Sequence, residues 1–238
     1  MIRQASSTDT DGWGTAFRVV PGLQRLVWDL RVESGVKLPD GTLSAYWGGS
    51  TVGPRVPPGL YTVEVDIAGA HAEQTFEVCA DPRLDTSPED FEAQYRLLLQ
   101  IRDRLSEIHT GILASRRLRA QMETWAGRLD AGHGDAAAAV RELAAALLEA
   151  EGELNESRSR GHADSFNFPP KVNSKIASLE STVSFGDARP PQQCYDVFAV
   201  LSEQAEAGLT RLRERMAEAT QSVNDLVAEA GLKALPES

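Results

Sequence analysis

From Phe91 onward the chain sets an apolar residue at alternating three- and four-residue steps: Phe91, Tyr95, Leu98, Ile101, Leu105, Ile108 and Ile112, then Met122, Trp125 and Leu129. That spacing lines one face of a helix and nothing else, so a long amphipathic helix is the first commitment. Ser87-Pro88-Glu89-Asp90 supplies its start: a serine able to cap free amides, a proline suited to the first helical position, and Asp90 able to reach back to the cap. Gly132-His133-Gly134 breaks the pattern. Asp135 can then cap an Ala-rich helix through Leu143, Leu147 and Leu154. Asn155 to Asp164 reads as a polar loop, and a short helix is expected through Val172, Ile176 and Leu179. Pro190-Pro191 opens a last long helix whose seam is Phe198, Leu201, Ala205, Leu209, Leu212, Met216, Ala219, Val223 and Leu226. Helices of this length with short breaks predict an antiparallel bundle of three or four.

Before residue 87 the period changes from three and a half to two. Tyr61, Val63, Val65 and Ile67 alternate with Thr62, Glu64 and Asp66; Ala68-Gly69-Ala70-His71 reads as the turn, and Phe76 and Val78 resume the inward pattern. Similar alternation marks Phe17 and Val19, and then Leu26, Trp28 and Leu30, with one more short strand expected at Leu43 to Trp47. Together these strands predict an immunoglobulin-like β-sandwich with Trp28 in its centre. The expected fold class is therefore α+β and multi-domain: a flexible arm over 1–14, the sandwich over 15–86, the helical bundle over 87–230 and a tail over 231–238.

Composition removes several function classes. The net charge is −11, with acid in excess in both halves, which argues against a nucleic-acid partner. No run of about 18 apolar residues is present, so no membrane span is expected. Met1 to Ser7 lacks the apolar segment of a secretory signal. On these residues the chain belongs in the cytoplasm unless it is one piece of something longer.

Catalytic signatures are missing. His71, His109, His133 and His162 are scattered without metal-ligand spacing, and Cys79 and Cys194 form neither a metal site nor a disulfide framework. No nucleophile elbow or phosphate-cradling loop occurs. Asp29, Glu64 and Glu77 fall on outward strand faces, where solubility explains them. Arg116, Arg117 and Arg119 form a basic cluster most simply read as a solvated helix face. No catalytic residue, metal ligand or cofactor is assigned. Trp13, Tyr46 and Trp47, aromatics in Gly-rich surroundings, are the candidate ligand or interface residues.

Four strings carry a family resemblance: Gly22 to Arg31 (GLQRLVWDLR), Gly53-Pro54 with Pro58-Gly59-x-Tyr61-x-Val63, Gln74-x-Phe76-x-Val78-x-x-Asp81-Pro82-Arg83, and Phe168-Pro169-Pro170-Lys171-Val172-Asn173. Together they resemble the C-terminal region of large bacterial BNR-repeat, sortilin-like propeller proteins, often labelled glycosyl hydrolases, over roughly Phe17 to Val227. The resemblance implies a secreted or envelope-located product in which a β-propeller precedes an immunoglobulin-like domain and a helical tail, with any sugar chemistry on the propeller. No propeller repeat stands in this sequence, so the hydrolase label reaches none of its residues. The function expected is a non-catalytic accessory module for docking or assembly, its partner a protein or a propeller domain of the same product. Self-association through the helical seams is a further expectation. A carbohydrate-binding module using Trp13, Tyr46 and Trp47 is the alternative, and a glycoside hydrolase with a dispersed site comes third.

Overall fold

A computed structural model of the chain describes residues 22, 23, 25–39, 51–67, 69–159, 164 and 166–232. The strands expected around Phe17 and over Leu43 to Trp47, the arm over 1–14 and nearly all of the tail lie outside the described residues.

Four helices hold the core: α1 over Pro88–Leu129, α2 over Gly134–Leu154, α3 over Val172–Val183 and α4 over Gln192–Glu229. At 42 residues, α1 runs for about 60 Å at 1.5 Å per residue. Ser87 caps it, its Oγ accepting the Asp90 amide at 3.2 Å, and Pro88 takes the first turn, where a missing N–H costs nothing. Asp135 does not cap α2: His133 holds that position without a side-chain bond, and Asp135 sits in the first turn, where it complements the helix dipole.

The contacts define the layout. Arg104 reaches Glu206 and Gly111 lies against Leu209, so α1 and α4 run side by side in the same direction. Arg116 and Arg119 reach Glu151, and Arg141 reaches Asp130, so α2 runs back along the second half of α1. Gln94 donates to the carbonyls of Val183 and Gly186, which puts α3 back along the first half. At every level the bundle is thus three helices thick, its third column built end to end from α2 and α3. Two clusters fill it: one from Leu97 to Ile112 of α1 with α3 and the first half of α4, the other from Met122 to Leu129 with α2 and Ala219 to Val227.

No β-sandwich is present among the described residues. The sheet there is one antiparallel hairpin, β1 over Gly59–Ile67 and β2 over Ala70–Val78, with an isolated bridge between Arg31 and Arg55. The fold-class expectation is corrected accordingly: a helical protein carrying a two-stranded hairpin. The alternation at Leu26, Trp28 and Leu30 fails to make a strand for a local reason. Asp29 Oδ1 accepts the Arg31 amide at 3.1 Å, a side-chain turn, and Leu30 is thrown to φ 61°, outside the extended region. Leu26 stays exposed. Trp28 does find aromatic neighbours, meeting Tyr61 and Phe76 edge-on with ring centroids 5.8 and 6.2 Å away.

A strap joins this region to the bundle. Val32 donates to the Pro54 carbonyl and Val56 to that of Leu30, pairing two extended segments so closely that a Cβ on Gly53 would fall 1.9 Å from the Val32 carbonyl oxygen. The strap then lies on one stripe of α1. Arg102 donates to the Glu33 carbonyl, Ser106 Oγ accepts the Val36 amide at 3.1 Å, and His109 Nδ1 donates to the Val36 carbonyl at 2.5 Å. Leu38 is buried and joins the core cluster of the first half of α1.

Candidate interaction surface

Trp13, Tyr46 and Trp47, the sequence-derived ligand candidates, lie outside the described residues. Among the described residues no group of three His, Cys, Asp or Glu side chains could hold a metal ion. Cys79 is exposed and Cys194 buried, both as free thiols. Asp29, Glu64 and Glu77 are exposed.

The basic cluster on α1 is corrected. Arg116 Nε donates to Glu151 Oε1 and Arg119 to Oε2, both at 2.8 Å, and Glu151 is only 1 % exposed. Two of the three arginines therefore face inward onto a buried carboxylate of α2, and of the three only Arg117 is exposed. The charges that looked like a solvated face tie α1 to the last turn of α2.

That turn leads into the junction where the third column changes from α2 to α3, and polar groups gather there. Asn155 caps the end of α2, and its Oδ1 accepts from Asn173 Nδ2 at 2.9 Å, while Asn173 Oδ1 accepts the Ser174 amide at 2.7 Å. All three residues are buried. Glu156, next in sequence, is chelated by the Arg158 guanidinium through two 2.8 Å bonds, which hold its carboxyl down to about 2. Arg158 in turn stacks over Phe168 at 4.6 Å. The Phe168 to Asn173 string thus has a structural use: it folds the chain over the break and starts α3 with an asparagine that closes the gap. Sequence reading missed these partners, because Asn155 and Asn173 are neutral polar residues of a kind common in loops.

The hairpin is the element least committed to the fold. Every Cα of its strands lies more than 8 Å from those of the four helices. Tyr61 and Phe76 are cross-strand partners at the base, under Trp28, and the Tyr61 hydroxyl donates to the Pro57 carbonyl at 2.6 Å. Toward the tip the same face carries Val63 and Val65, 46 % and 38 % exposed. The opposite face pairs Thr62 with Thr75, Glu64 with Glu73 and Asp66 with His71, and sets Leu60, 76 % exposed, across from Glu77. His71 Nδ1 meets Asp66 Oδ1 at 2.8 Å, and that carboxylate raises the imidazole above its usual range. Glu64 opposite Glu73 sets like charges on directly facing positions, an arrangement that costs stability. The turn has two residues rather than the four expected from sequence, with Gly69 at φ 85° supplying the left-handed corner.

Among the described helices none is long and apolar enough to cross a membrane. Set against known protein families, curated proteins and solved structures, the chain matches none of them.

Proposed function

We propose that this chain is a non-catalytic docking or assembly module, in which the bundle is a rigid mount and the hairpin a contact element. The observation that carries the reading is the hairpin itself: two nine-residue strands whose backbone stays clear of the helices, with Tyr61 at the base near Glu92 and Tyr95 of α1 and with Val63, Val65 and Leu60 open to solvent. Exposed apolar residues on a projecting sheet are a common basis for protein contact. The resemblance to the tail region of propeller proteins supports a partner protein, or a propeller domain of the same product, as what the hairpin meets.

A photo-reactive amino acid placed at Val65, and separately at Thr124 on the exposed side of α1, tests this in source cells. A discrete cross-linked species from the Val65 variant and none from the Thr124 variant is the expected result. Equal labelling from both positions, or none from Val65, overturns the reading.

A further inference from the structure

Between α2 and α4, on the side away from α1, runs a shallow groove of about 500 Å³ lined by Ala139, Glu142, Leu143 and Ala146 of one helix and Ser222, Asp225 and Leu226 of the other. We propose that this groove docks a basic amphipathic helix of a partner protein. The surface is separate from the hairpin, and the proposal stands whether or not the hairpin binds anything.

The first argument is shape. Leu143 and Leu226 form an apolar floor, packed from below on the second core cluster yet only partly covered from above. Ala139, Ala146 and Ser222 keep the walls low, so that a third helix can settle at ordinary helix-packing distance. Ala139 to Ala146 is two helical turns, about 10 Å, which matches an occupant with apolar anchors at i, i+3 or i+4, and i+7.

Charge selects the occupant. Glu142 and Glu149 on α2 and Asp225 and Glu229 on α4 are all exposed along this stretch, and among the described residues none has an ion-pair partner. Farther along the same two helices the answer is mixed: Glu153 is met by Arg211, Glu218 by Arg215 and Glu206 by Arg104 and Arg213, while Glu203 and Glu214 are exposed without an ion pair among the described residues. Four unanswered acids therefore border the apolar floor. An apolar stripe flanked by Lys or Arg satisfies both features at once. A second copy of this chain fits less well, since it brings a net charge of −11 to an acidic rim.

The test uses the full chain and a fluorescein-labelled 18-residue peptide with Leu and Ala on one helical stripe and Lys on its flanks, read by anisotropy. Saturable binding is expected. A scrambled peptide of identical composition without the stripe should bind about tenfold more weakly. The Glu142→Lys/Asp225→Lys variant should lose about tenfold in affinity, while Glu64→Lys/Glu77→Lys, the same charge change on the hairpin, should stay within about twofold. Both pairs are exposed, and circular dichroism confirms that each variant keeps its helices. Equal losses in the two variants, equal binding of the scrambled peptide, or no binding would each overturn the proposal. A concentration-dependent dimer abolished by Glu142→Lys/Asp225→Lys would overturn it in favour of a second copy.

Discussion

The bundle and the hairpin both begin from a clear apolar pattern, and only the bundle converts that pattern into a core. Along α1, Leu97, Ile101, Leu105, Ile108, Ile112, Met122 and Leu129 are all at most 1 % exposed, because two further columns of helix close over them. Along β1, Val63 and Val65 alternate just as regularly, yet they stay exposed and only the base of the sheet is covered, by Trp28. Periodicity fixes which side of an element is apolar. Burial needs a second layer, and that depends on contacts distant in sequence.

The sharpest way to break this comparison is to truncate one apolar side chain to alanine in each region. Leu105→Ala should destabilise the protein by about 2–5 kcal/mol, because its cavity lies in a closed core. Val63→Ala should stay within about 0.5 kcal/mol, as expected at an exposed site. Chemical denaturation of both variants checks the pair.

Within the bundle, the α2–α3 junction should behave as core despite its polarity. Glu151→Ala leaves Arg116 and Arg119 facing inward without their carboxylate and should cost about 3 kcal/mol in the same assay. Close helix approach offers a third test. A Cβ on Gly208 would lie 2.6 Å from Leu154 Cδ2, so Gly208→Ala should cost about 1–3 kcal/mol by overpacking, even though alanine favours the helix.

Acid probes the same junction. Glu156 titrates lower in the folded chain, at about 2, than in the unfolded one, so its ion pair adds stability above the ordinary carboxylate range. That contribution disappears as pH falls from that range to about 2. Glu156→Gln should flatten the pH dependence of the melting temperature across that window and leave its slope near neutrality unchanged. A small effect of the opposite sign is expected on the hairpin. Glu73→Lys replaces a like-charge pair with an attractive one and should stabilise the strands by about 0.2–1 kcal/mol, measured by amide exchange in β1 and β2.

The helical seams could be read from sequence because each is a local repeat of three- and four-residue steps, punctuated by Ser87-Pro88, Gly132 to Gly134 and Pro190-Pro191. The sandwich could not be judged that way. Its prediction relied on Leu26, Trp28 and Leu30 pairing with distant strands, and the side chain of Asp29 turns the backbone at Leu30 instead. The hairpin's faces were legible but its register was not. A four-residue turn would set Glu64 opposite Thr75; the two-residue turn sets it opposite Glu73, a like-charge pair, and brings Asp66 opposite His71. Likewise Arg116 and Arg119 form a basic cluster in one dimension and an internal tie in three, because only the α1–α2 packing reveals Glu151. The α2–α4 groove depends on which helices are neighbours, something no single helix encodes.

Native-state hydrogen exchange, followed residue by residue, tests the central claim most directly: that the bundle carries the stability and the hairpin is mounted on it. Amides of Leu97 to Ile112 should exchange only through global unfolding, and those of Leu60 to Val65 and Ala72 to Phe76 through local opening at far lower free energy, as a two-stranded sheet without a second layer must. Hairpin amides protected to the level of α1 would contradict the account, for they would mean that the two elements unfold as one unit.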